Sequence, residues 1–162
     1  MSVLTNLSGT ITEASSTTII SANVGSNVTG ITENSTTSAL NVTGALTVNS
    51  AGTTLTNASG TQLLTLSGAV TGTGDLVLKN NSATAAGITL SGSTVNNQGN
   101  VTNSGTGTGS TSISSVIGNA TTTAVVQNSA NSNLTLTGAN TYTGTTTISA
   151  GTLQIGAGGT TG

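Results

Sequence analysis

Leu64, Leu76 and Ile88 fall 12 residues apart (76 minus 64, 88 minus 76), and Leu66, Leu78 and Leu90 repeat that step two residues on. The same step returns in Val101, Ile113 and Val125. Nearer the start, Ile11-Thr12-Glu13-Ala14-Ser15-Ser16-Thr17 matches Ile31-Thr32-Glu33-Asn34-Ser35-Thr36-Thr37 at Ile, Thr, Glu, Ser and Thr, an offset of 20 (31 minus 11). Self-similarity at short period marks a chain that stacks one structural unit on the next. A coil of two or three short strands spanning roughly 20–24 residues accommodates both spacings, with 12 as about half a coil.

The residues between these positions agree with that expectation. Apolar side chains come in small doses, the longest strings being about three residues, as in Leu76-Val77-Leu78. They are separated by Thr, Ser, Asn and Gly, and Thr, Val and Ile favour strands while Gly and Asn tolerate tight corners. No segment has the three-to-four spacing of an amphipathic helix, and no apolar run approaches the ~18 residues of a membrane-spanning one. With Tyr142 as the sole aromatic residue, a sandwich core is hard to fill, but a narrow stacked coil needs only a few aliphatic groups per layer. The expected fold is all-β: a right-handed parallel β-helix, or β-solenoid, forming one elongated, open-ended repeat domain over residues 1–162. Seven or so coils at about 4.8 Å make a rod of roughly 30–35 Å. Each buried Val, Ile or Leu contributes about 1.5–3 kcal/mol. Outward Thr and Asn are expected to form hydroxyl and amide ladders.

The ionisable side chains are Glu13, Glu33, Asp75, Lys79 and Tyr142, and the chain has no His, Arg, Cys or Pro. So little positive charge argues against nucleic acid as a partner, and without Cys neither disulfides nor thiolate metal sites form. The start, Met-Ser-Val-Leu-Thr-Asn, has neither the basic nor the apolar region of a secretory signal, so a signal is expected outside this chain.

Polysaccharide cleavage on a β-helix needs paired acids or a base with a metal. The 20-residue offset places Glu13 over Glu33, but a hard cation wants six to eight oxygens. These two are read as solvated turn residues whose repulsion water screens. Asp75 and Lys79, four apart, are read as a surface charge pair or as protection against strand mispairing. Gly72-Thr73-Gly74-Asp75 lacks the tandem copies of a calcium roll. No catalytic residue, metal ligand or cofactor is assigned, and no enzyme is expected.

Asn-x-Ser/Thr triplets, as at Asn57 and Asn80, follow from composition. Ser104–Ser110 is read as an irregular Gly/Thr excursion. The tail Gly156–Gly162 looks like a turn without a cap, as though a longer chain continued.

Residues 134–156 read LTLTGANTYTGTTTISAGTLQIG. Leu134-Thr135-Leu136 and Leu153-Gln154-Ile155 are short alternating strands, and the stretch between them is read as turns. Leu134, Leu136, Gly138, Asn140, Tyr142, Gly144, Thr146, Ile148, Gly151, Leu153, Ile155 and Gly156 resemble the autotransporter-associated β-strand repeat, or passenger-associated transport repeat. Thr145 departs from it, a second Gly being more usual there. Tyr142 is read as a turn-packing residue.

The resemblance implies a passenger-domain segment of a bacterial surface protein, displayed outside the outer membrane by type V secretion. Its partners would be neighbouring coils of a longer chain, with a translocator β-barrel outside this one. The function implied is a non-enzymatic stalk serving adhesion, with a host-surface or matrix ligand held elsewhere. Exposed coil ends also allow end-to-end self-association. The alternative is a Thr-rich surface binder of ice or glycan. It needs pairs such as Thr135/Thr137, Thr141/Thr143 and Thr145/Thr147 in register on one flat face, and their irregular spacing argues against that.

Overall fold

The computed structural model describes residues 8–14, 18–58, 60–118 and 124–156, together with the backbone of 3–4. The chain winds into coils of three strands each. Coil one holds β1 (Val3–Leu4), β2 (Gly9–Glu13) and β3 (Thr18–Ile20). Coil two holds β4 (Asn23–Val24), β5 (Val28–Glu33) and β6 (Leu40–Val42). Coil three has β7 (Leu46–Val48), β8 (Thr53–Asn57) and β9 (Leu64–Leu66). Coil four has β10 (Val70–Gly72), β11 (Leu76–Asn80) and β12 (Ile88–Leu90). Coil five comprises β13 (Thr94–Val95), β14 (Val101–Asn103) and β15 (Thr111–Ile113). Coil six comprises β16 (Val116–Ile117), β17 (Ala124–Asn128) and β18 (Leu134–Leu136). Two further strands, β19 (Thr145–Ala150) and β20 (Leu153–Ile155), continue the winding.

Up to β18 each strand pairs with its counterparts three strands away, and β19 and β20 pair with β17 and β18, always in parallel. Three sheets result: a first of six strands from β1 to β16, a second of seven from β2 to β19, and a third of seven from β3 to β20. The described residues contain no helix, and the molecule is a parallel β-solenoid of about six turns.

Both sequence spacings are coil geometry. Glu13 and Glu33 are register partners, as are Ile11 and Ile31. Leu64 and Ile88 are partners in the third sheet, 24 residues apart (88 minus 64), while Leu76 lies between them on the second sheet. Two steps of 12 therefore close one coil. Steps along the third sheet vary from 19 (155 minus 136) to 24 (66 minus 42). The variation falls in the corners, so the strands stay aligned.

Alternation does the packing. In β9, β12 and β18 the outer residues of each triplet are buried and the middle one is half-buried. The largest fully buried side chains are all Leu or Ile, stacked column on column; Val and the remaining Leu and Ile complete the spine. Tyr142 only packs against the edge of this core.

The run read as an irregular excursion, residues 104–110, is a corner pressed flat on the coil below. A Cβ built at Gly105, Gly107 or Gly109 would lie 2.1 Å from the backbone oxygen of Asn80, Ser82 or Thr84, respectively. Glycine there permits contact between two backbones. The tail beyond Gly156 lies outside the described residues.

Candidate functional site

Four features of the solenoid bear on function: the repeat block, a buried polar column, a flat hydroxyl face and a shallow groove. The repeat block spans one winding of the chain. β18 and β20 coincide with the two alternating triplets, and Leu134 pairs with Leu153 and Leu136 with Ile155. Leu134 and Leu136 are fully buried, Leu153 is partly buried against the core, and Ile155 and Ile148 are each 56% exposed. Gly138 follows β18 and accepts the Asn140 N–H at 2.9 Å. Asn140 Oδ1 takes the Ile117 N–H of the coil below at 2.9 Å. The Tyr142 hydroxyl lies 2.6 Å from Thr146 Oγ1. Gly144 sits just ahead of β19.

The stretch read as turns contains a six-residue strand, β19. Thr145, Thr146, Thr147 and Ile148 are β-branched and suit an extended backbone. Thr145 opens that strand with an exposed side chain and Ala124 as register partner, so the departure from Gly is accommodated without a bend. Gly151 follows at φ +72°, and a Cβ there would meet Ser129 O at 2.0 Å. Gly156 donates its N–H to Leu136 O at 2.8 Å.

The polar column corrects two expectations. Glu13 and Glu33 are not solvated: Glu13 is 6% and Glu33 0% exposed. Each stands two residues after an inward isoleucine on the same strand, so the pleat carries it inward as well. Asn57 lies over Glu33 and Asn80 over Asn57. Asn103, over Leu78, and Gln127, over Asn103, carry buried amides in the next two coils one inward position earlier along the strand. The amide ladder expected outside is therefore inside, where Asn57, Asn80, Asn103 and Gln127 are each 0% exposed.

These amides fasten corners. Nδ2 of Asn57 donates to Gly87 O at 2.7 Å, that of Asn80 to Ser110 O at 2.9 Å, and that of Asn103 to Ser132 O at 2.7 Å. Each acceptor lies just before the third-sheet strand of the following coil. Asn103 Nδ2 also reaches Gln127 Oε1 at 2.8 Å. Burial raises the Glu33 carboxyl above the ordinary 4.5; the Ser35 N–H opposes this, the Glu13 charge adds to it, and the Leu40 N–H opposes it. Among the described residues no group of three or more His, Cys, Asp or Glu is arranged to hold a metal ion.

Asp75 and Lys79 do not share a strand. Asp75 precedes β11 and accepts the Asn100 N–H at 2.7 Å, while Lys79 faces outward over Thr56. Lys79 thereby interrupts the outward column Thr12, Thr32, Thr56 of the second sheet.

The third sheet carries a polar face, of hydroxyls from coil three to coil six, flanked by Ile19 at one end and Gln154 at the other. Asn41, Thr65, Thr89, Ser112 and Thr135 are in register at the outward middle of their strands. Beside them Thr43, Ser67, Ser91, Ser114 and Thr137 form a second exposed column, each donating its N–H to the coil below at 2.9 Å. Of the three Thr-x-Thr pairs read from the sequence, only Thr135/Thr137 lies here. Thr141/Thr143 falls in a corner and Thr145/Thr147 on the second sheet. The other rungs were hidden because their partners are Ser or Asn. A shallow groove, lined among others by Ser26, Asn49 and Thr73, contains no ionisable side chain.

No curated protein and no solved structure matches the chain. Residues 131–155, which span the winding from β18 to β20, match the family model of the passenger-associated-transport-repeat.

Proposed function

We propose that this chain is a non-enzymatic stalk and display segment of an autotransporter-like bacterial surface protein, serving adhesion by holding a binding region away from the cell. The observation that carries this reading is the coincidence of the 131–155 match with one winding of a continuous solenoid. The repeat is one winding of the rod, with Leu134 and Leu136 in its core. The two glutamates stabilise corners from within and do not line a cleft, which supports a role without catalysis. On this reading the translocator barrel and the adhesive region belong to other parts of the full protein.

The test is display. With the chain fused between a terminal epitope and an autotransporter barrel, the epitope is expected on the cell surface and the rod is expected to resist external protease. Deletion of residues 131–155 is expected to abolish display. An epitope displayed equally well without that block would sink the reading.

A second reading gains support from the third-sheet face, whose two hydroxyl columns run in register through coils three to six. A flat, uncharged, hydroxyl-rich surface suits ice or a neutral glycan. Thermal hysteresis and retention on insoluble polysaccharide, compared between the wild type and Thr65→Lys/Thr89→Lys, test it. Activity lost in the double variant supports it; none in the wild type removes it.

A further inference from the structure

Glu33 occupies a register position that Asn57 and Asn80 fill in the two following coils, with Asn103 one inward place earlier over Leu78 in the third, and the acid and the amide differ in what they give. Asn57, Asn80 and Asn103 each supply a proton to a carbonyl of the next coil. An ionised carboxylate has none to supply. Glu13, in coil one, has a partnered oxygen: its Oε2 accepts the Ala14 N–H at 2.8 Å and the Thr18 hydroxyl at 3.3 Å.

Glu33 is placed differently. Its Oε1 accepts the Ser35 N–H at 2.5 Å, but its buried Oε2 has no hydrogen-bond partner among the described residues. Asn57, its register partner in coil three, commits Nδ2 to Gln62 O at 2.8 Å and Gly87 O at 2.7 Å. The amide is thereby oriented, and its buried Oδ1 is also without a partner. Unpaired buried acceptors are costly, and these two occupy successive rungs of one column. A single proton satisfies both.

We propose that Glu33 is held as the neutral acid and donates its Oε2–H to Asn57 Oδ1, so that the junction of coils two and three is a proton-dependent clasp. Among the described residues, β2 brings Glu13 towards Glu33, β8 brings only Asn57, and β6 with the 34–39 corner brings no titratable group. Asp75 and Lys79 lie two coils away and are exposed. The direction of titration agrees, since burial and the Glu13 charge both favour the neutral form.

A carboxyl whose folded pKa is raised binds its proton more tightly in the folded chain. Its contribution is full below the ordinary value of 4.5 and is lost as pH rises through the folded pKa.

The test follows thermal unfolding of the wild type, Glu33→Gln and Glu13→Gln between about pH 4 and pH 8, a range that spans ordinary and raised carboxyl values. Glu33→Gln keeps the shape and a donor without the charge. The wild-type Tm is expected to fall with rising pH by several degrees relative to Glu33→Gln, and Glu13→Gln, which removes a charge that favours the neutral acid, is expected to shift that fall to lower pH. A second readout needs no variant to fold. Glu13 and Glu33 are the only glutamates, so carboxyl carbon NMR of glutamate-labelled wild type is expected to show one of them titrating above the ordinary value. Both glutamates titrating at or below the ordinary value, or wild type and Glu33→Gln running parallel with pH, would overturn the proposal.

Discussion

Asn57 gives both amide protons to backbone carbonyls, one in its own coil and one in the next. In a coil this narrow, a corner turns its carbonyls inward, and a short amide is the smallest group that reaches them. Asn57→Leu should destabilise the chain by about 1–3 kcal/mol for each carbonyl left unpaired, read from denaturant unfolding. A loss near zero would mean that water takes over the amide's role. The inward direction of Glu13 and Glu33 was legible in principle, because a residue two places after an inward isoleucine shares its face. Their polarity points outward and their period inward, and in the folded chain the period prevails. Their partners were not legible, since Asn57 lies 24 residues from Glu33 (57 minus 33) and corner length decides which residue comes to rest above which.

The third-sheet triplets of coils three to six form a series read largely from their own letters, as Leu-Thr-Leu, Ile-Thr-Leu and Thr-Ser-Ile, ending again in Leu-Thr-Leu. Burial then separates positions that look alike. Leu66→Ala removes a side chain that is 1% exposed and should destabilise by about 2–5 kcal/mol. Ile155→Ala, at a position 56% exposed, should stay within about 0.5 kcal/mol. Paired unfolding curves check the contrast, and equal losses would contradict the assigned faces. Gly151→Ala combines positive φ with a backbone contact and is expected to lower Tm more than any exposed substitution on β19. The strand β19 itself was missed between two glycine-rich corners because its threonines alternate with nothing apolar until Ile148. Pairing with β17 defines it, and that pairing is non-local.

Stacked coils touch only their neighbours, so stability is a sum along the axis. Hydrogen exchange should be slowest in coils three to five and quickest at both ends; uniform protection would show the rod melting as one unit. The solenoid itself was readable from the 12- and 20-residue spacings, whereas the three-sheet cross-section was not, because corners of changing length blur the period. Inter-coil hydrogen bonds point along the rod in all three sheets. Tension applied end to end therefore peels one layer at a time and never shears many bonds together. Each layer of about 24 residues pays out roughly 80 Å of slack thread. Under stretching in an optical trap, the molecule should yield as a ratcheting tether that absorbs a sudden pull.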